Sequence, residues 1–126
     1  VVDDCYNANP MSMKASLDVL HDGEGRRVAI LGDMGELGEN EIALHEEVGT
    51  HAAQCGIDVC ICVGALSVHM AEAARKADPE FKVIYEKSRE SLLEHLGDLV
   101  QEGDTILVKA SHFMQFEEVV KALEEM

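Results

Sequence analysis

The feature that most limits how this chain can fold is an alternation of two periods. Short apolar runs, VAIL at 28–31, VCICV at 59–63, VIY at 83–85 and ILV at 106–108, are each followed by a stretch with apolar residues every three or four positions. A run that is apolar at consecutive positions suits a strand covered on both faces. Recurrence at the helical period suits a helix packed by one stripe. Strand–helix alternation with short connections produces a parallel sheet with right-handed crossovers. The expected fold class is therefore α/β: a three-layer, Rossmann-like or flavodoxin-like domain with an open, mostly parallel sheet of about five or six strands.

Val1-Val2 makes a short first strand ending at Asp3-Asp4, and Asn9-Pro10 opens the first helix as cap and first-turn residue. Met13, Leu17 and Leu20 form its stripe and Gly23 stops it. The second helix is expected from about Glu41 to Cys55, on Leu44, Val48, Ala52 and Cys55; the third carries Leu66, Met70, Ala73 and Ala77 and closes at Asp78-Pro79. KVIYE is of mixed character and reads as a strand nearer an edge. Ser88 caps a fourth helix with Leu92, Leu96 and Leu99, ended by Gly103, and Phe116, Val119, Val120 and Leu123 mark a last amphipathic helix.

At 126 residues the chain is expected to form one domain with a core that needs neither disulfide nor metal. No apolar run approaches bilayer length and the first residues lack a signal-peptide pattern, so a cytoplasmic protein without membrane insertion is expected. The net charge of −15 argues against non-specific nucleic-acid binding and against an anionic membrane surface. It leaves room for a small anionic ligand held by one lysine and backbone N–H groups. Cys5, Cys55, Cys60 and Cys62 form no C-x-x-C pair and read as small buried hydrophobes in a reducing compartment. No metal site is expected.

Ligands of open α/β sheets bind beyond the carboxyl ends of the strands. Four groups qualify there: Asp3, Asp4, Tyr6, Asn7 and Asn9; Gly32-Asp33-Met34 with Glu36 and Gly38; Gly64; and Lys109, Ser111 and His112. Asp3, Asp4 and Lys109 fit a phosphorylation receiver, but VCICVGALS has no Asp at its end, and Asp58 precedes that strand, on the wrong edge. The loop GDMGELGEN is neither G-x-G-x-x-G nor G-x-x-x-x-G-K-[ST], and Asp33 and Glu36 would repel a phosphate. It is either a turn-rich connection or an acidic loop suited to a cationic group such as a substrate ammonium. Lys109 either pairs with Asp4 or Asp33 or meets an anionic ligand, and Asn7 and Asn9 serve as turn and cap residues. His45 and His51 flank the second helix's stripe and read as boundary packing; His21, His69 and His95 read as surface residues. No Ser-His-Asp or Cys-His set follows from these spacings, and no catalytic residue is expected in this chain alone.

DDCYNANPMSM, RRVAILGDMGELGE, His45 with Val48-Gly49, and ILVKAS together closely resemble the C-terminal domain of the Mur ligases. Within that family they resemble the branch that joins D-alanyl-D-alanine to UDP-N-acetylmuramoyl-tripeptide in peptidoglycan synthesis. The likeness runs from Asp3 to near Leu123, and YNANP-x-SM combined with GDM-x-ELG is its most specific part. The resemblance implies a third, Rossmann-like domain that closes over a central one. ATP and Mg²⁺ would be held mainly by that central, P-loop domain, and an N-terminal domain would bind the UDP end. The tripeptide carboxylate would be activated as an acyl phosphate and attacked by the dipeptide amine. Carried onto this sequence, Asp4, Tyr6, Asn7 and Asn9 become nucleotide-binding, with Asp4 toward the ribose. Asp33, Glu36, Lys109 and Ser111 become substrate-binding. The implied partners are the central and N-terminal domains of the same ligase and its two substrates.

One departure is visible. The family commonly reads K-G-S-R where this chain has Lys109-Ala110-Ser111-His112, and His does not reproduce a permanently charged, bidentate Arg. No P-loop occurs in these 126 residues, so the chain alone is expected to be inactive. The alternatives are a stand-alone nucleotide-binding module of the same fold and a partner-docking domain.

Overall fold

The structure is a computed structural model that describes residues 8–111 and 114–125 and, for 2–4, the backbone. Tyr6, Asn7 and His112 lie outside the described residues. The elements follow in the order β1 (Val2–Asp4), α1 (Pro10–His21), β2 (Arg27–Gly32), α2 (Glu41–Gln54), β3 (Val59–Val63), α3 (Ser67–Ala77), β4 (Lys82–Glu86), α4 (Arg89–Leu99), β5 (Thr105–Lys109) and α5 (Glu117–Glu124). A 3-10 turn, Gly38–Asn40, leads into α2.

The five strands form one sheet in the order β1-β5-β2-β3-β4, and every neighbouring pair is parallel. β4 is an edge strand, as its mixed composition suggests. The order is Rossmann-like rather than flavodoxin-like. Counted from β2, the strands β4-β3-β2-β5 reproduce the 3-2-1-4 arrangement, and the flavodoxin order 2-1-3-4-5 does not fit.

Right-handed crossovers then decide which face each helix covers. The steps from β1 through β4 run one way across the sheet, and the step from β4 to β5 runs back. Accordingly α1, α2 and α3 pack on one face with Ala29, Leu31, Cys60, Cys62 and Leu107. α4 and α5 pack on the other with Val28, Ile30, Val59, Ile61 and Val108. Successive strand residues point to opposite faces, so a strand covered on both must be apolar throughout. Each fully buried Leu, Ile or Met contributes roughly 1.5–3 kcal/mol of transfer free energy, and Met13, Leu17, Ile30, Ile61 and Met70 are of this kind.

Local signals set the helix starts. Asn9 Oδ1 accepts from Ser12 N–H at 2.9 Å while Ser12 Oγ accepts from Asn9 N–H at 3.1 Å, a reciprocal cap ahead of Pro10. Ser88 Oγ accepts from Ser91 N–H at 3.1 Å and starts α4. The helix faces depart from expectation in two places. α3 buries Ser67, Met70, Ala71 and Ala74, with Ala77 exposed and Ala73 half-buried. α2 buries His45, Val48, Gly49 and Ala52, leaving Leu44 and Cys55 only partly covered. Both shifts come from the α2–α3 contact, where a Cβ on Gly49 would lie 2.1 Å from the Met70 carbonyl oxygen. Glycine there lets the helices approach backbone to backbone and rotates both stripes toward the seam.

The amino edge of the sheet is closed by ion pairs. Arg26 holds Asp104 through Nε at 3.1 Å and a terminal nitrogen at 2.8 Å. Asp58 accepts from the backbone N–H of Arg27 at 2.8 Å and from its Nε at 3.1 Å. This puts Asp58 opposite the edge a receiver would need. Among the described residues no helix is long and apolar enough to cross a membrane.

Candidate functional site

The carboxyl ends of the strands gather most of the polar residues expected there. Asp4 ends β1 and lies in register with Lys109, the last residue of β5, which in turn faces Leu31 of β2. Lys109 is only 2% exposed, so its charge lies within the edge rather than in solvent. Asn9 stands on the same edge, at the start of α1, with its carboxamide oxygen engaged in its own helix cap.

Asp33 follows β2 and is buried. Its Oδ1 accepts from the Ser67 N–H at 2.8 Å and the Ser67 hydroxyl at 2.7 Å, and Oδ2 accepts from Leu66 N–H at 3.3 Å. The carboxylate thus serves the N–H groups that begin α3 and have no partner within the helix. Gly64 permits this: its φ is +119, and a Cβ there would lie about 2.5 Å from the Asp33 carboxylate.

The loop after Asp33 is tied on both sides. Ser111 N–H donates to the Asp33 carbonyl at 3.1 Å, and Gly35 N–H donates to Ser111 Oγ at 2.6 Å. Met34 N–H donates to His45 Nε2 at 3.0 Å, and His45 Nδ1 bonds the Glu41 carbonyl at 2.7 Å. Because Nε2 accepts, the ring proton sits on Nδ1 and donates to Glu41. His45 is fully buried, which corrects the expectation of boundary packing. In the sequence it stands beside Leu44, flanking the α2 stripe, where it reads as an ordinary boundary position. Glu36 follows the clamped segment, exposed and at φ +60.

In an open sheet, a crevice forms where neighbouring strands send their helices to opposite faces. β2 and β5 are such a pair, and the Ser111 bonds bridge the crevice between them. β3 and β4 are another, and here a cleft of about 400 Å³ is open, lined by Asp33, Gly64, Lys87, Ser88, Arg89 and Gln115 among others. Arg89 forms one wall by donating to the Gln115 carbonyl at 3.3 Å and its side-chain oxygen at 3.0 Å. Behind the cleft the Tyr85 hydroxyl donates to the Gly64 carbonyl at 2.9 Å. Burial, helped by the negative charge of Asp33, pushes that phenol above its ordinary pKa. Glu86 is buried beside it and accepts from Ser91 Oγ at 2.5 Å and from His95 Nδ1 at 3.1 Å. Sequence reasoning did not single out Arg89, Tyr85 or Glu86, because β4 and the start of α4 carry no motif. Among the described residues no three His, Cys, Asp or Glu side chains gather as metal ligands.

The family profile described as "Mur ligase, glutamate ligase domain" matches residues 1–112. The chain belongs to the Mur ligase family. This Mur ligase chain is 37% identical over 127 residues to the UDP-N-acetylmuramoyl-tripeptide–D-alanyl-D-alanine ligase of Bacillus subtilis, covering 99% of this chain and 28% of that protein. The ligase of the same description from Escherichia coli is 40% identical over 127 residues, with 99% and 27% covered. A crystal structure of MurF from Acinetobacter baumannii superposes with a TM-score of 0.86 at 31% identity, over 98% of this chain and 28% of that one. MurF from Thermotoga maritima, in complex with ADP, gives 0.78 at 28% identity over 98% and 27%. The chain thus spans about 28% of the length of the relatives it matches. The Mur ligase membership and the Rossmann-like fold that the motifs implied both hold.

Proposed function

We propose that this chain is the C-terminal closing domain of an ATP-dependent ligase that adds D-alanyl-D-alanine to UDP-N-acetylmuramoyl-tripeptide in the cytoplasm. Its N-terminal and central domains are its partners. The observation that carries this reading is the match of 99% of the chain to ligases of that description. Additional support comes from the motif residues that stand on the carboxyl edge of the sheet.

In this reading the rim formed by Asp4, Tyr6, Asn7 and Asn9 faces the nucleotide. A carboxylate accepts from ribose hydroxyls, and the amide half of Asn9 not used in its cap can donate to a ligand. ATP and Mg²⁺ belong mainly to the central domain, whose P-loop this chain lacks. The acidic loop faces the dipeptide, with Asp33 anchoring its start through the cap on α3 and the exposed Glu36 suiting the ammonium in charge. Lys109 supplies a buried positive charge near the middle of the edge, matched to a phosphate or carboxylate, and the Ser111 hydroxyl proton remains to donate beside it.

The test is kinetic, in the intact ligase. Asp4→Ala and Lys109→Met, which removes the buried charge without opening a cavity, should each lower kcat/KM by at least about tenfold, the scale of a lost charge-assisted contact, in proteins that still unfold cooperatively. Unchanged kinetics would reduce the domain to a docking role. The isolated chain should show no dipeptide-dependent phosphate release and bind ATP weakly, because both walls of the cleft are needed. Micromolar ATP affinity in the isolated chain would favour a stand-alone binding module instead.

A further inference from the structure

We infer that His45 is a positioning residue for the amino substrate, acting through the loop that carries Glu36; this rests on the reading that the loop faces the dipeptide. Three successive residues of the loop have a backbone group held in place. The Asp33 carbonyl and the Gly35 N–H are held by Ser111, and the Met34 N–H between them is held by His45. The two clamps come from opposite sides, one from the segment after β5 and one from α2.

The histidine clamp is rigid. The ring is 0% exposed, so it cannot swing into solvent. Its Nδ1–H is fastened to the carbonyl of Glu41, one helical turn back. That leaves Nε2 as a buried acceptor aimed at the loop. No carbonyl of α2 could serve as well, since those in the helix body point along the axis to their own N–H partners. A side chain with one acceptor and one donor on opposite sides of a flat ring links the two backbones.

What the clamps hold is unfavourable by itself. Glu36, directly after the clamped residues, sits at φ +60, in the left-handed region that side chains other than glycine seldom adopt. Freed of the Met34 bond, the loop would relax toward the ordinary regions and the exposed carboxylate of Glu36 would point elsewhere. His45 therefore sets where a negative charge stands for a primary ammonium, without touching the ligand.

The experiment is steady-state kinetics on the intact ligase with His45→Ala, His45→Gln and Glu36→Gln, beside melting curves. A Gln amide oxygen reaches about where Nε2 lies and can accept from Met34, whereas Ala leaves that N–H unpaired. His45→Ala should raise the KM for D-alanyl-D-alanine about tenfold or more, as small misplacements do, with the KM for ATP within about twofold. His45→Gln should recover most of that loss, and should be read alone if the Ala variant does not fold. Equal damage in both variants, or parallel rises in the two KM values, would overturn the inference, since a purely structural histidine predicts them. Glu36→Gln with an unchanged dipeptide KM would overturn the dipeptide reading of the loop. A raised KM in Glu36→Gln with no change in His45→Ala would overturn the role of His45 alone.

Discussion

The carboxylate of Asp33 holds Ser67 twice, by its backbone N–H at 2.8 Å and by its hydroxyl at 2.7 Å, across 34 residues of chain. The bond joins the end of β2 to the start of α3 and forms one side of the open cleft.

This pair predicts an order of stabilities. Ser67→Ala removes one hydrogen bond to a charged group and should cost about 1.5 kcal/mol. Asp33→Ala leaves the first N–H groups of α3 without an acceptor in a buried place and should cost more, on the order of 3 kcal/mol. Urea unfolding of both variants checks it. Equal costs would mean that the N–H groups of α3 find another partner when Asp33 is lost.

A second prediction concerns acid. The guanidinium of Arg26 holds the Asp104 carboxyl below its ordinary range, and the backbone N–H and side chain of Arg27 do the same for Asp58. A carboxyl whose pKa is lower folded than unfolded is protonated first in the unfolded chain. Its stabilisation is complete above an unfolded value of about 4 and disappears as pH falls through the depressed one. Unfolding free energy should therefore fall steadily below about pH 4. Asp104→Asn should flatten that fall more than Asp58→Asn, because the Asp104 side chain is 3% exposed and that of Asp58 is 42% exposed. Denaturant titrations at successive pH values measure both slopes.

Gly49→Ala is expected to be among the most damaging single-methyl changes. The added Cβ would lie 2.1 Å from the Met70 carbonyl oxygen, and since one is fixed to the α2 backbone and the other is part of the α3 backbone, they can separate only by moving α3 off α2. A cost of about 3 kcal/mol, at the upper end for overpacking, should appear as a melting temperature lower by roughly 10 °C. A shift of under about 2 °C would show that the α2–α3 seam yields easily.

The thiols give a fourth prediction. Cys60 and Cys62 are fully buried with their sulfurs 3.7 Å apart, and the contact with Cys62, together with burial, pushes the Cys60 thiol well above its ordinary value. Cys55 is raised by burial as well. A disulfide reagent needs access to the sulfur it attacks, so the fully buried Cys60 and Cys62 should label with Ellman's reagent at the rate of global unfolding. Rapid labelling of either in the native protein would show that the α1–α3 face of the core opens locally.

Some of this architecture was readable residue by residue. Asn9-Pro10 and Ser88 announced helix starts because a cap and the N–H groups it serves lie within three positions of each other. The apolar run VCICV announced a strand buried on both faces for a similarly local reason. The motif residues at the strand ends were found because a parallel α/β sheet leaves its carboxyl edge open to ligands. The faces of α2 and α3 were harder. The sequence offers Leu66, Ala73 and Ala77 as well as Ala71 and Ala74 as apolar candidates, and only contact with α2 selects among them. The role of His45 is hidden from the sequence for the same reason, since it depends on the Met34 N–H, which reaches the ring through a loop.

Composition and period thus determined the class of fold, the strands, most helix boundaries and the edge on which to look for a site. These depend on interactions between residues a few positions apart. The strand order, the buried positions of Asp33 and His45, and the cleft beside Arg89 were decided by the tertiary structure alone. Each depends on groups brought together from far along the chain, as Gly35 and Ser111 are across 76 residues. Such contacts follow from the path of the backbone through space, on which a local pattern of residue types places no constraint.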